Sequence, residues 1–135
     1  MTGELGAHVD LPVTAASVGG ARQLVEQVMG AWGYRERAWL DAALLIVTEL
    51  TANAVRHTEG DVMSVQVRAV DGRVRVAVVD GSATLPRRLA PQHDENGRGL
   101  MIVAALAAKW SADLLVSGKR VWAELVPYPA PEPTG

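Results

Sequence analysis

Apolar residues recur with two different periods along the 135-residue chain. From about 15 to 31, and again from 36 to 58, they follow the three- and four-residue spacing of helices that pack on a core. From 62 to 80 they alternate with polar residues, and Asp71-Gly72 interrupts the alternation as a hairpin turn does. The pattern therefore predicts two helices followed by an antiparallel hairpin.

The turn at Asp71-Gly72 also predicts which residues of the two strands lie opposite each other. A two-residue turn pairs Met63 with Asp80 and puts a row of small apolar residues on one face. The other face pairs Arg68 with Arg75, a like-charge contact that is unfavourable unless an acid or a partner lies nearby.

Two shorter patterns complete the predicted sheet. Residues 7–13 alternate around apolar positions and predict an edge strand. Near the end of the chain, Gly118-Lys119 is predicted as the turn of a second hairpin, which pairs Ala112 with Leu125. These patterns bring the expected number of strands to about five.

Residues 81–96 lack periodicity and are followed by a third amphipathic helix. A loop of this length inside a compact domain is usually a functional lid or a disordered segment. Gly97 and Gly99 come immediately before the helix, where exposed amides can approach an anion closely. The predicted fold is an α+β two-layer sandwich, in which three helices cover one face of a mainly antiparallel or mixed sheet of about five strands.

Length and composition predict one domain and exclude several classes of function. Residues 1–126 are expected to form the domain, and the proline-rich tail 127–135 is expected to be extended or disordered. A net charge of -2 and a pI near 5.9 leave no basic stripe for direct nucleic-acid binding. The absence of cysteine excludes disulfides, thiolate zinc sites and a cysteine nucleophile. With no signal peptide and no apolar run of about 20 residues, no membrane contact is expected and the predicted location is cytoplasmic.

The second helix carries three polar residues on an otherwise apolar sequence. Glu49, Asn53 and His57 are spaced by four residues and so project from nearly one stripe. The stripe is either a polar edge facing solvent or one side of a functional site. Asp80 leaves a similar choice open, because it ends its strand on the core-facing side and either caps the next turn or does chemistry.

These features share one physical use, the binding of a purine nucleotide. Such a ligand needs an acceptor for its exocyclic amine, a divalent metal and amides around its phosphates, and a lid. At this point TELTANAVRH resembles the asparagine box of the histidine-kinase-like ATPase superfamily, whose nucleotide site is called the Bergerat fold. ENGRGLMIV resembles its second glycine box, and VVDGSATLP stands where its first glycine box stands.

Within that superfamily, the chain is similar to the anti-sigma-factor serine-protein kinases, especially small ATP-binding regulators of actinobacteria. The similarity lies in a first helix ending AxWG, in the histidine that closes the asparagine box, and in the closing W…SGKRVWAEL. It implies an ATP-binding anti-sigma factor with serine/threonine-protein kinase activity towards an anti-anti-sigma antagonist. The implied cofactors are ATP and Mg²⁺. The implied partners are a sigma factor and that antagonist, and relatives often form homodimers.

The resemblance also implies roles for individual residues. Asn53 would ligate Mg²⁺, Glu49 would be the general base for an attacking serine hydroxyl, and Asp80 would accept a hydrogen bond from the adenine amine. Arg22 stands where related kinases present an arginine to their partner. The remaining residues implied to line the pocket or wrap the phosphates are Arg56, His57, Gly97, Arg98, Gly99 and Leu100.

Departures from the family pattern support a second hypothesis. Ser82 and Thr84 replace glycines of the first glycine box, and Arg120 stands where a threonine or serine near the adenine is usual. The alternative is therefore a degenerate regulator of the same fold that docks on partners with little or no use of nucleotide. A metal-dependent hydrolase using Glu49 and His57 is a third class, but no third ligand occurs at a suitable spacing.

Overall fold

The computed structural model describes residues 4–58, 60–81 and 95–129, and the side chains of 95–99 are outside that description. Five strands and three helices lie within the described residues. In chain order they are β1 (Glu4–Pro12), α1 (Ser17–Ala31), α2 (Arg37–His57), β2 (Val62–Val70), β3 (Arg73–Asp80), α3 (Glu95–Leu106), β4 (Ala107–Leu115) and β5 (Gly118–Leu125). Most of the predicted lid, 82–94, lies outside the described residues.

The five strands form one open sheet in the order β1-β2-β3-β5-β4, and every neighbouring pair is antiparallel. One face of the sheet packs with the helices around a core of small apolar side chains, among them Val25, Ile46 and Val76. The other face carries charged residues. The structure thus confirms the predicted two-layer α+β fold with three helices on one face of the sheet.

The hairpin of β2 and β3 has the predicted register. Asp71 and Gly72 both have positive φ, 54° and 79°, as a two-residue turn of this kind requires. Arg68 does lie opposite Arg75, as expected from the sequence. Arg68 forms an ion pair with Glu4, and Arg75 lies 3.4 Å from Glu124, so each arginine has an acid beside it. These ion pairs offset the repulsion that the sequence left unexplained.

Helix α2 is the central element of the core. It begins after Glu36, whose side chain caps it by accepting hydrogen bonds from the backbone amides of Ala38 (3.2 Å) and Trp39 (2.6 Å). By length and mean hydropathy, 1.4, this helix could cross a membrane, which corrects the expectation that no segment is so apolar. However, 56% of the apolar window is buried inside the fold. The helix owes its apolar sequence to packing on the sheet.

The second hairpin exists, but its turn lies two residues earlier than predicted, which shifts each cross-strand partner by four residues. The turn is at Val116-Ser117, so Ala112 pairs with Val121 and not with Leu125. Gly118 lies within β5. A Cβ at this position would overlap the carbonyl oxygen of Asp80 and lie 2.9 Å from its carbonyl carbon, so only glycine fits there without a shift. Glycine at this position allows β5 to approach the backbone of β3 closely, whereas the sequence pattern predicted that it formed a turn.

Two helix boundaries also differ from the sequence prediction. Helix α3 begins at Glu95, so Gly97 and Gly99 lie within its first turns and not before it. Helix α1 begins at Ser17, about two residues later than its apolar pattern predicted, and has no side-chain cap. The hydroxyl of Thr14 lies 3.1 Å from that of Ser17.

The residues after β5 fold back against the start of α2. The ring of Tyr128 makes edge contacts with Tyr34 and Trp39 at centroid distances of 5.0 and 5.1 Å. Its hydroxyl accepts hydrogen bonds from the backbone amides of Arg35 (2.8 Å) and Glu36 (2.7 Å). The beginning of the proline-rich segment therefore contributes to the domain, and residues 130–135 lie outside the described residues.

Candidate functional site

Asn53 is the most unusual polar residue on α2. Its side chain is 4% exposed, and neither its Oδ1 nor its Nδ2 has a hydrogen-bond partner within the part of the chain that the structure describes. Thr51, equally buried and two residues earlier, donates to the carbonyl of Val47 at 2.7 Å. Leaving a buried amide unpaired costs roughly 1–3 kcal/mol. Such a side chain is suited to receive a ligand.

Glu49 and His57 lie one turn before and one turn after Asn53 on the same helix. Both are half-buried, and neither side chain makes a hydrogen bond or ion pair with the described residues. Arg56 is exposed in the last turn. The structure therefore places a carboxylate and an imidazole along the edge of the helix that carries the unpaired amide.

Asp80 ends β3 on the core-facing side, as the sequence predicts, and is 5% exposed. Because β3 packs against α2, the carboxylate and the stripe of Asn53 belong to adjoining elements. The ammonium group of Lys119, which is completely buried, lies 3.0 Å from Asp80 Oδ1. Asp80 is thus part of a buried ion pair.

Lys119 is the residue of this site that the sequence interpretation missed. It lies directly opposite Asp80 in the pairing of β3 with β5, so both side chains project from the helix-covered face. One signal could have found it, because the buried positions Leu125, Ala123 and Val121 alternate back along the strand to Lys119.

Arg120 does not lie where the sequence interpretation placed it. It pairs with Val79 in the sheet, so its side chain is on the face away from the helices. There it lies 3.6 Å from Asp113 and is 43% exposed. The basic residue that lies beside Asp80 is therefore Lys119, whereas Arg120 belongs to the charged open face of the sheet.

The second predicted glycine box lies at the start of α3, which packs on α2. Gly97, Arg98 and Gly99 are within the first turns of this helix, and their side chains lie outside the described residues. Leu100 is buried, with 4% exposure. Ser82 and Thr84 of the first box also lie outside the described residues.

Arg22 reaches from α1 to the same helix that carries Glu49. Its guanidinium donates to the hydroxyl of Thr48 at 2.8 Å, and Thr48 immediately precedes Glu49 in sequence. The residue is exposed. The contact holds the arginine near the stripe while leaving it accessible from outside.

The residues present fit Mg²⁺ held jointly with phosphates. This ion prefers oxygen ligands, keeps several waters and commonly uses one or two protein oxygens together with substrate phosphates. The buried Oδ1 of Asn53, which has no hydrogen-bond partner among the described residues, is one such oxygen. In the described part of the chain no three His, Asp or Glu side chains come together as a metal cluster, so no all-protein metal cage is found there.

The larger cavities lined by described residues lie away from this site. One of about 530 Å³ is beside Arg68 and Arg75 on the open face. Another, of about 970 Å³, lies between Trp39, Leu106 and Tyr128. Neither is lined by the predicted site residues.

Comparison with known proteins agrees with this fold. The chain belongs to the histidine kinase-like ATPase domain family, whose sequence model matches residues 11–124. No curated protein sequence matches the chain. The architecture just described is therefore that of an ATPase-type nucleotide-binding domain.

Two solved structures share the fold. The RsbU and RsbW domains of Rv1364c from Mycobacterium tuberculosis match 90% of this chain with a TM-score of 0.70 and 17% identity. The histidine kinase domain of the blue-light activated histidine kinase EL346 from Erythrobacter litoralis matches 87% with a TM-score of 0.54 and 20% identity. The chain spans 32% of the first protein's length and 62% of the second's. At these identities the likeness is one of fold.

Proposed function

We propose that the chain is an ATP-binding anti-sigma regulatory factor that phosphorylates a serine or threonine of an anti-anti-sigma antagonist. The observation that carries the proposal is the buried carboxamide of Asn53, which has no partner among the described residues, with the carboxylate of Glu49 one helical turn away. Membership of the ATPase family supports the nucleotide. The motif resemblance and the RsbW-containing structural neighbour support the regulatory role.

In this proposal Asn53 Oδ1 holds Mg²⁺, which would neutralise charge on the phosphates. Asp80 faces the base. The phosphates lie against the start of α3 and the end of α2, near the residues Arg56, His57, Gly97, Arg98, Gly99 and Leu100. These residues position and neutralise the phosphates, which is most of what phosphoryl transfer requires of a protein.

Glu49 is the proposed general base of the transfer. Its carboxylate accepts the proton of the substrate hydroxyl as the hydroxyl oxygen bonds to the γ-phosphorus. The bond from that phosphorus to the bridging oxygen breaks, and ADP leaves. General base catalysis by a positioned carboxylate typically contributes about 10²–10⁴-fold to the rate.

Arg22 is the proposed contact with the protein partners. It is exposed, and its hydrogen bond to Thr48 places it next to the residue that would receive the substrate hydroxyl. The same surface would bind either the sigma factor or the antagonist in the cytoplasm, so phosphorylation of the antagonist would release it and free the surface for the sigma factor.

A phosphorylation assay with the cognate antagonist tests this function. The antagonist is first identified by pull-down with and without Mg-ATP, and transfer is then followed with γ-labelled ATP. Glu49→Gln should lower the transfer rate by about 100-fold or more without weakening Mg-ATP binding, because only the base is lost. Glu26→Gln, an exposed residue on α1, is the matched control and should transfer normally. Unchanged transfer in Glu49→Gln would contradict the role of Glu49.

The buried ion pair favours a second candidate function. Because Lys119 already occupies one oxygen of Asp80, the site could be a docking module that binds no nucleotide. Calorimetry distinguishes the two functions. Micromolar binding of Mg-ATP supports the kinase, and the absence of heat at millimolar Mg-ATP supports docking alone.

A further inference from the structure

The open face of the sheet, on the side away from the helices, carries a cavity of about 530 Å³ at the turn end of the hairpin of β2 and β3. Three arginines line it, Arg68 from β2 and both Arg73 and Arg75 from β3. Only two acids, Asp71 and Glu124, line it with them, so the cavity has a surplus of positive charge in a chain whose net charge is -2. The cavity is therefore suited to an anionic ligand.

The acids of the fold engage only a small part of what these arginines can donate. A guanidinium group has five N–H donors. Arg75 donates to Glu124 at 3.4 Å, and Arg68 pairs with Glu4. Arg73 forms no ion pair within the described residues. Among those residues, most donors of the three arginines are thus without an acceptor, and a ligand could supply it.

Arg75 is held in position before any ligand binds. Its guanidinium carbon lies 3.9 Å from the centre of the Trp122 ring, and Trp122 Nε1 donates to Asp113 at 2.9 Å. Stacking on an aromatic ring leaves the edge of the guanidinium, where its donors point, open to a ligand. A side chain that is already fixed loses little conformational freedom on binding, and tryptophan and arginine are enriched among the residues that dominate protein interfaces. These features favour a protein as the ligand.

The spacing of the arginines matches that of an extended peptide. Arg73 and Arg75 are alternate residues of β3, so they project from the same face about 6.6–6.8 Å apart. Arg68 lies directly opposite Arg75. Alternate side chains of an extended peptide have the same separation, so carboxylates two residues apart can each reach one arginine. Several such contacts are needed, because an exposed ion pair contributes at most about 1 kcal/mol.

We propose that this cavity is a docking site for an extended acidic segment of a partner protein, with Asp or Glu at alternate positions. The site lies on the opposite face of the sheet from Asp80 and the helix that carries Asn53. Docking there does not require nucleotide, so its failure would leave the proposed function standing.

Calorimetry of the full chain with three synthetic peptides tests the site. The first alternates glutamate with serine, and the second alternates glutamine with serine. The third has as many glutamates as the first but places them at every third position, so that successive ones point to opposite sides when the peptide is extended. At low salt the first peptide should bind at least about tenfold more tightly than the second and about fivefold more tightly than the third.

Variants of the arginines show whether binding is local to the cavity. Arg73→Gln should keep the fold, because Arg73 is exposed and has no ion pair within the described residues, and it should weaken binding of the first peptide about fivefold. The double variant with Arg75→Gln should weaken binding by about 10–25-fold. Arg37→Gln is the matched control, since Arg37 is exposed and pairs with Asp41 at 3.1 Å on α2. It should bind the first peptide normally.

Several results would overturn the proposal. They are equal binding of the first and second peptides, equal binding of the first and third, or a loss in Arg37→Gln as large as that in Arg73→Gln. Tighter binding of a single-stranded oligonucleotide than of the first peptide would identify the ligand as nucleic acid. Self-association in sedimentation velocity that Arg73→Gln abolishes would assign the face to a second copy of the chain, and it would equally overturn the proposal.

Discussion

Truncation of Asn53 to alanine should make the unliganded protein more stable. Replacement of a buried side chain by alanine normally destabilises a protein, because contacts are lost and a cavity forms. Asn53 differs because its amide is buried at 4% exposure without a hydrogen-bond partner in the described residues. Its presence is a cost to the free protein if its role is to bind a ligand.

The size of the effect follows from three contributions. Removal of the unpaired amide gains roughly 1–3 kcal/mol. Alanine has a higher helix propensity than asparagine, which adds about 0.6 kcal/mol in the middle of α2. Lost packing of the small side chain offsets on the order of 1 kcal/mol of this gain. The expected net stabilisation is about 1–2 kcal/mol, or a rise in Tm of about 3–8 °C for a domain of this size.

Urea denaturation followed by circular dichroism measures the free energy of unfolding with and without Mg-ATP. Thr51→Ala is the matched control, because Thr51 is buried in the same helix but hydrogen-bonded to Val47 and Thr48, and it should be destabilising. At about 100 times its dissociation constant, Mg-ATP should stabilise the wild type by about 2.7 kcal/mol. Asn53→Ala should gain much less from Mg-ATP.

One result would refute the expectation that Asn53→Ala is stabilising. If Asn53→Ala is less stable than the wild type, as Thr51→Ala should be, then the Asn53 amide contributes to folding. The polar stripe would then be an ordinary part of the helix, and the main support for a nucleotide site would be lost.

Two further predictions concern the frame around the site. Tyr128→Phe should lower the free energy of unfolding by about 1–2 kcal/mol, because its hydroxyl accepts two backbone hydrogen bonds at the start of α2. Tyr34→Phe, whose hydroxyl makes no hydrogen bond within the described residues, should change it little, and equal urea midpoints for the two variants would contradict the role of Tyr128. Gly118→Ala should destabilise by roughly 1–3 kcal/mol, since its Cβ would overlap the backbone of Asp80. A melting temperature within 1 °C of that of the wild type corresponds to a change in stability of only about 0.3 kcal/mol, and it would show that the strands can separate there at no cost.

The elements that could be predicted from sequence are those whose signal is local. Helix α2 shows a clear period, and the hairpin of β2 and β3 contains a turn whose residues require positive φ. For these, propensity, periodicity and turn chemistry all agree. The opposed arginines at positions 68 and 75 could also be predicted. Their acidic partners could not, because Glu4 and Glu124 come from other strands.

The candidate site was only partly predictable for the same reason. The spacing of Glu49, Asn53 and His57 is visible along one helix, and so is the place of Asp80 at a strand end. That the amide of Asn53 has no partner in the described part of the chain depends on how the helices and sheet pack, which no local pattern encodes. The sequence therefore indicated the candidate residues, and the fold supplied the physical reason to prefer Asn53 among them.

Lys119 shows how a small error in register conceals a site residue. With the turn at Gly118-Lys119, the lysine would be an exposed loop residue with no partner. The actual turn lies two residues earlier, which moves Lys119 into β5 opposite Asp80 and buries it. The apolar alternation does not detect the error, because moving the turn by two residues shifts each partner by four, an even number, and leaves the same side chains on the core face. Gly118 fits this register because it lies against the backbone of Asp80, where a Cβ would overlap the carbonyl oxygen, and in the same register Lys119 forms its ion pair with Asp80.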